Sequence, residues 1–309
     1  MPISKANLGG MDQLVVMYQH HLQRLQRGYE AVMATRQLDA IVVGSGVAAS
    51  RNRFDDQFWP LSVTPAFAHW VPLQEPDAFV VVRDDADVRA VVLTGTGDVA
   101  FCAGGDLGLT LPLMTGARAP QDEFDRRLLD DPRTLEASSL RGFDIVKPTI
   151  CAINGTCLAA GFELMLGTDI RIAAEQSQFG LPEVQRALLP FAGSMARLPR
   201  QVPAALAMQL LLTGRPISAE LALQWGLVTE LWPSDRLLPR ALELAEQIAG
   251  NGPVAVQAVR RAAIQGSGLP LPDAFALEDA AKREVMRSQD AREGPLAFIE
   301  KRAPRFVGR

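Results

Sequence analysis

The sequence predicts a mixed α/β domain that ends in a helical region. In the middle of the chain, short apolar segments alternate with turns of small residues and with the first residues of helices, which is the order of strand, turn and helix. From about residue 237 onward, helical periodicity replaces this alternation. The 309 residues are 48% hydrophobic and 21% charged, so the chain can form a sizeable core.

The first part of the chain predicts an atypical α/β segment. Apolar residues recur at helical spacing over residues 12–38 and predict a helix. The apolar runs at 39–44, 79–82 and 89–95 predict strands, the last of which ends in a glycine. Residues 51–76 are rich in aromatic residues and proline and show no clear period.

One glycine pair in this segment has the spacing of a dinucleotide-binding turn. Gly44 and Gly46 directly follow the strand predicted at 39–44. Such a turn needs a long helix after it, which Pro60 and Pro65 oppose, and no strand ending in an acidic residue follows about twenty residues later. We therefore interpret these glycines as an ordinary turn at the end of a strand.

The middle and the end of the chain alternate more regularly. Residues 148–153 and 170–174 predict buried strands, and residues 154–157 (NGTC) predict a turn. Residues 107–146 are polar and irregular, with a predicted helix around 121–141, and a connection of this length is a candidate cover for a site. Further helices are predicted to begin at 158 and to span 196–212, 218–226 with Ser218 as N-cap, 237–250, 253–266 and 272–290.

Composition and charge exclude several classes of function. A net charge of −4 and small basic clusters argue against a nucleic-acid partner. The three cysteines and three histidines have no metal-like or disulfide-like spacing, so we expect no structural metal and a reducing compartment. The start lacks the pattern of a signal peptide, and no apolar run is long enough to span a membrane. We therefore expect a cytoplasmic protein.

Two stretches carry small residues directly after predicted strands. In FCAGGDL (101–107) and INGTCLAAGFE (153–163), small side chains would let backbone N–H groups point at a ligand. Two such donors can form an oxyanion hole, in which each donor contributes about 3–4 kcal/mol to the rate. The alternative interpretation is that the small residues only allow the turns to pack tightly.

The order of four motifs resembles the enoyl-CoA hydratase/isomerase family, the crotonase superfamily. The motifs are FCAGGDL, INGTCLAAGFE, DIRIAAEQSQFGLPEV and LLTGRPISAELALQWGLV, and the resemblance covers about residues 84–309. It implies a core of stacked ββα turns, with helices at about 237–309 that pack in a homotrimer or a dimer of trimers. It also implies a coenzyme A thioester as the substrate, in fatty-acid or related acyl-CoA metabolism, and no cofactor.

The resemblance also implies the site residues. The backbone N–H groups of Ala103 and Ala160 match the oxyanion-hole positions, and Glu163 and Glu183 match the two glutamates of the hydratases. On the family pattern Glu183 exchanges the α-proton of the thioester, while Glu163 orients and activates water. Relatives that shift double bonds or hydrolyse thioesters usually lack one glutamate, so the pair favours a hydratase. The alternative interpretation of the two glutamates is an ordinary pair of exposed carboxylates.

Five further residues are candidates for substrate binding. Gly193 would let the start of a helix approach the site, where the helix dipole favours negative charge. Asp106 follows the AGG turn, and capping of the next helix is an equally good interpretation of it. The complete set of substrate-binding candidates is Gly104, Gly105, Asp106, Gly161 and Gly193.

The chain departs from this family before residue 84. The leading strands of the family and a basic residue that helps to hold the coenzyme A phosphates are not recognisable there. Instead, residues 12–82 resemble part of the amino-terminal domain of bacterial proline dipeptidases, on the order of FDDQFWP and PAFAHWVPL. The metal-binding half of that family is absent, so we expect neither peptidase activity nor a metal.

The predicted domains are thus a truncated segment at 1–83 and a crotonase-like domain at 84–309. An enoyl-CoA hydratase is the first functional interpretation. The alternatives are another crotonase-type reaction such as double-bond isomerisation, and a non-catalytic remnant of a fusion. Loss of the leading strands would leave an exposed sheet edge in the core, which the strands at 41–43 and 79–82 could partly replace.

Overall fold

A computed structural model describes the C-terminal three quarters of the chain. The predicted helix, strands and glycine turn between residues 12 and 82 lie outside the described residues. The described ranges are 88–95, 97–131, 136–142 and 144–309.

Two sheets form the core of the described region. Strands β1, β3, β5 and β8 form one parallel sheet in that order, and β2, β4, β6 and β7 form the other, in which only β7 runs antiparallel to its neighbour. The strands are β1 (Val91–Thr94), β2 (Ala100–Cys102), β3 (Thr149–Ile153), β4 (Thr156–Leu158), β5 (Ile170–Ala174), β6 (Gln178–Gly180), β7 (Ile217–Ser218) and β8 (Glu230–Trp232).

Strands β1 to β6 enter the two sheets alternately, β7 stays in the sheet of β6, and β8 returns to the first sheet. The alternation over β1 to β6 is the stacked ββα arrangement that the sequence predicts. The helices that follow the strands are α1 (Thr110–Met114), α2 (Glu123–Asp130), α3 (Ala160–Met165), a 3-10 helix (Pro182–Arg186), α4 (Ser194–Gln201), α5 (Ala204–Thr213), α6 (Ala219–Gln224), α7 (Ser234–Ala249), α8 (Pro253–Gly266), α9 (Leu271–Val285) and α10 (Asp290–Ile299).

Strand β3 shows why the predicted apolar runs became central strands. All five of its residues are buried. Cys151 and Ile153 point into one apolar cluster, and Ile150 and Ala152 point into a second one. Because successive side chains of a strand point to opposite faces, a parallel sheet that is covered on both sides needs a continuous apolar run. The strands predicted at 89–95, 148–153 and 170–174 are confirmed.

The predicted helix at 196–212 is wrong, because the structure has two helices there. α4 ends at Gln201, and Val202 adopts an extended conformation with φ −132° and ψ 162°. Val202 precedes Pro203, whose ring disfavours a helical conformation at the residue before it. The break turns the chain, so that α5 packs against α4 and against the 3-10 helix.

Three other boundaries differ from the prediction. The turn predicted at 154–157 contains the start of β4, which pairs with β2 and β6. The helix predicted around 121–141 is interrupted, since α2 ends at Asp130 and Asp131 is extended before a proline. The helix predicted at 272–290 ends at Val285, and α10 begins at Asp290, where the Ser288 hydroxyl accepts from the N–H of Ala291 at 3.1 Å.

The C-terminal helices are tied to the sheet by a half-buried arginine. In α8, Arg260 donates from Nε to Oδ2 of Asp169 and from Nη1 to Oδ1 of Asp144, at 2.7 Å each. The same Asp169 oxygen accepts from the N–H and the hydroxyl of Thr149 at the start of β3. None of the helices in the described part of the chain combines the length and the apolar character that crossing a bilayer needs.

Candidate active site

The turn after β2 and the first residues of α3 lie directly against each other. A Cβ added to Gly104 would lie 2.7 Å from the Cβ of Ala159 and 3.4 Å from the backbone nitrogen of Ala160. A Cβ on Gly161 would overlap the carbonyl oxygen of Cys102 and lie 2.7 Å from the Cβ of that residue. The glycines at these two positions are therefore needed for the close approach of the two backbones.

Ala103 and Ala160, the predicted oxyanion-hole residues, lie on the two sides of this contact. Ala160 is the first residue of α3, and Ala159 before it has an unusual backbone with φ 50° and ψ −128°. The N–H of Ala159 donates to Gly180 in β6 at 3.0 Å, which anchors this conformation. The N–H groups in the first turn of a helix have no partner within the helix, so they are available to an acceptor.

Glu163 lies one turn into α3 and is 2% exposed. Its Oε1 accepts two hydrogen bonds from Ser194 at the start of α4, from the N–H at 3.0 Å and from the hydroxyl at 2.9 Å. Burial raises the pKa of Glu163, while the bonds from Ser194, the backbone of Ala192 and the charge of Arg197 act in the opposite direction.

Glu183 lies in the first turn of the 3-10 helix and is partly buried. Burial, together with the smaller effect of the nearby Glu163 charge, raises its pKa to about 7, although a backbone hydrogen bond acts in the opposite direction. Its Oε2 is buried and has no hydrogen-bond partner among the described residues. The structure therefore brings the two glutamates together, one held by two donors and the other with a buried oxygen still open to a ligand.

Gly193 directly precedes α4 and has φ 126°, a conformation that favours glycine. It brings the start of α4 to Glu163, in agreement with its predicted position. Arg197 in the same helix donates to the backbone oxygens of Ser139, Leu140 and Glu163. These bonds fix α4 against α3 and thereby fix the bonds between Ser194 and Glu163.

Asp106 and Gly105 have separate positions in the turn after β2. Oδ1 of Asp106 accepts from the N–H groups of Gly108 at 2.7 Å and of Leu109 at 2.9 Å. These bonds close the turn before α1, whereas the N-cap of α1 is Leu109 and makes no side-chain cap bond. Gly105 is exposed, and a Cβ there would meet no atom within 4 Å. Within the described residues, no three His, Cys, Asp or Glu side chains gather as ligands for a metal.

Ser194 and Arg197 are the residues of this region that the sequence did not single out as functional. Both residues closely follow Gly193, a predicted site residue. Their position in the first turns of the helix after Gly193 is the feature of the sequence that could have indicated a role at the site. Their contacts reach 31 and 34 residues back along the chain to Glu163. Such contacts depend on the packing of α4 against α3, which no local pattern contains.

The order of these parts along the chain agrees with a known family. The family described as "Enoyl-CoA hydratase/isomerase" matches residues 74–309. The chain belongs to this enoyl-CoA hydratase/isomerase family. Residues 16–95 also match "Xaa-Pro dipeptidase, N-terminal domain", in agreement with the resemblance found in the first part of the sequence.

Relatives of known name extend over most of the family region. A protein of Mycobacterium tuberculosis named as an enoyl-CoA hydratase is 42% identical over 228 residues, which are 74% of this chain and 83% of the relative. A carnitinyl-CoA dehydratase of Proteus mirabilis is 36% identical over 241 residues, covering 75% and 87%. The crystal structure of an enoyl-CoA hydratase from Bacillus anthracis has a TM-score of 0.67 and 38% identity, covering 75% and 86%.

Proposed function

We propose that the chain is an enoyl-CoA hydratase, which adds water across the 2,3-double bond of an acyl-CoA thioester. The observation that carries the proposal is the pair of glutamates, buried at Glu163 and partly buried at Glu183, close to the contact between two glycine-containing turns. Family membership supports the substrate class, since relatives at 36–42% identity are named as an enoyl-CoA hydratase and a carnitinyl-CoA dehydratase.

In the proposed reaction the backbone stabilises charge on the thioester oxygen. Addition of water at the β-carbon moves electron density to that oxygen and forms an enolate. The N–H groups of Ala103 and Ala160 would donate to it, and a donor placed in this way contributes about 3–4 kcal/mol. The close approach at Gly104 and Gly161 supports this role, because it brings two backbone segments to one point.

The two glutamates would divide the proton transfers. Glu163 would accept a proton from the attacking water, whose oxygen bonds to the β-carbon, and Glu183 would deliver a proton to the α-carbon. A group with a pKa of about 7 populates both protonation states near neutral pH, which suits this exchange. Since Glu183 must be protonated to deliver its proton, we expect the rate of hydration to fall as the pH rises through about 7.

The proposed reaction needs no cofactor. Two carboxyl groups supply the acid and the base, and two backbone donors stabilise the developing charge. Activity should therefore remain after treatment with a strong chelator and dialysis. Loss of activity that an added divalent metal restores would contradict this part of the proposal.

The reverse reaction, dehydration of a hydroxyacyl-CoA, is the second candidate. The 36% identity to a carnitinyl-CoA dehydratase favours it. Hydration and dehydration pass through the same enolate, so the same four groups would serve both directions. For any one acyl group the ratio of the two kcat/KM values equals the equilibrium constant, so comparison of kcat/KM between different acyl groups would show which substrate pair the site prefers.

The proposal is tested with purified full-length chain and crotonyl-CoA, by following the loss of absorbance of the conjugated thioester. We expect hydration by the wild type and a decrease in kcat of about 10²- to 10⁴-fold in Glu183→Gln. Glu278→Gln, which removes an exposed carboxylate from α9, is the matched control and should leave kcat unchanged. A folded wild-type protein that hydrates no enoyl-CoA of any chain length would refute the proposal.

We further propose that the chain assembles into a homotrimer or a dimer of trimers through its C-terminal helices. Large apolar side chains on these helices are exposed, with exposed fractions of 54% at Phe275, 66% at Met286, 85% at Phe298 and 75% at Ile299. Burial of such residues would stabilise an assembly. Light scattering of the purified protein measures the mass, and a monomeric mass would contradict the assembly.

A further inference from the structure

Ser194 contributes two donors to a single oxygen atom of Glu163. Its N–H lies 3.0 Å from Oε1 and its hydroxyl lies 2.9 Å from the same atom. The serine is completely buried, so water does not compete for these bonds. A carboxylate oxygen has two lone pairs, and both lone pairs of Oε1 are occupied by this serine.

Two charged side chains act on Glu163 in the described region. Glu183 faces it from the 3-10 helix, and Arg197 faces it from α4. Burial and the positive charge of Arg141 lower the pKa of Arg197. Arg197 donates to the backbone oxygen of Glu163 at 3.2 Å, whereas the carboxylate accepts from the N–H and hydroxyl of Ser194 and from the backbone of Ala192.

We propose that Ser194 is a positioning residue, which fixes Oε1 of Glu163 and leaves Oε2 as the oxygen that accepts the proton of the attacking water. This inference rests on the proposed function, because it assigns the water to one oxygen of one glutamate. The hydroxyl favours the ionised carboxylate, since it donates to it. Ser194 would thus keep Glu163 ionised while Glu183 carries the proton, although the two groups lie close together.

Removal of the hydroxyl should change both the rate and its dependence on pH. In Ser194→Ala the N–H remains but one bond to Oε1 is lost, so the pKa of Glu163 rises and the carboxylate can rotate. We expect kcat for crotonyl-CoA to fall about 10- to 100-fold with little change in KM. The acid limb of the pH profile should move to higher pH, while the alkaline limb changes less.

Two variants separate positioning from a general effect on the fold. Ser194→Cys has a similar volume and a weaker donor, so we expect its kcat and its acid limb to lie between those of the wild type and Ser194→Ala. Ser177→Ala removes another buried hydroxyl, which donates to the backbone oxygen of Ile153 at 2.9 Å. It should lower stability but leave the pH profile unchanged.

A measurement that needs no turnover distinguishes this proposal from the proposed function. Carbon-13 NMR of the full chain with labelled glutamate, assigned with Glu163→Gln, follows the titration of the Glu163 carboxyl directly. We expect it to titrate at higher pH in Ser194→Ala than in the wild type, even if crotonyl-CoA is not hydrated. An unchanged titration, or an unchanged acid limb in an active Ser194→Ala, would overturn the proposal for Ser194.

Discussion

The replacement of Glu183 by glutamine should make the protein more stable at pH 8. The carboxyl has a pKa of about 7 in the folded chain, against 4.5 for an ordinary glutamate, so ionisation opposes folding. The difference corresponds to about 3 kcal/mol, and partial access of solvent to the side chain reduces it to about 2 kcal/mol. Because the folded pKa is raised, the stability from Glu183 is present below pH 4.5 and lost as the pH rises through 7.

The assay is the free energy of unfolding in urea for the wild type and Glu183→Gln at pH 5 and pH 8. We expect a gain of about 2 kcal/mol for the variant at pH 8 and a much smaller difference at pH 5. Glu278→Gln, which removes an exposed carboxylate from α9, serves as the control and should leave the free energy of unfolding nearly unchanged. An equal difference at both pH values, or a loss of stability at pH 8, would refute the idea that Glu183 is held in a desolvated position.

Two more predictions concern the turn after β2. Gly161→Ala should lower kcat/KM more than 100-fold, because the new Cβ would overlap the carbonyl of Cys102 and displace Ala103. Kinetics with crotonyl-CoA measure this loss. Near-normal activity would show that the contact at Gly161 does not set the position of the backbone donors. Asp106→Ala should cost about 1 kcal/mol of stability in urea, because it removes the two hydrogen bonds that close the turn before α1. Asp106→Asn should keep stability and activity. A large loss of kcat in Asp106→Asn would show that Asp106 acts in catalysis.

The fold could be predicted where the spacing of apolar residues in the sequence matches the period of a strand or a helix. Strand β3 is a run of five buried residues, four of them apolar, so its type and limits could be inferred locally. β4 has only three residues, and its pairing with β2 and β6 depends on parts of the chain more than twenty residues away. Local patterns favour a turn there, because a glycine precedes the strand and small residues follow it.

The site could be predicted in part for a similar reason. Glu163 and Glu183 follow recognisable motifs, so their positions in the chain pointed to a shared site. Pro203 marks the break in the sequence, but the helical period of the surrounding residues continues across it and predicts one helix instead of two. The bonds from Ser194 could not be predicted, since they exist only after α4 packs against α3 through the contacts of Arg197.

The two glutamates have the same chemistry but different hydrogen-bond partners, and burial raises the pKa of both. Oε1 of Glu163 accepts two hydrogen bonds, whereas Oε2 of Glu183 has no partner among the described residues and costs stability when it is charged. One site can hold both an acid and a base when different surroundings give two neighbouring carboxyl groups different pKa values. Ser194→Ala should therefore lower stability by about 1–2 kcal/mol, whereas Glu183→Gln should raise it at pH 8. Both substitutions should slow hydration, although they change the stability in opposite directions. This result would show that catalysis depends on the different surroundings of the two glutamates and not on the stability of the fold.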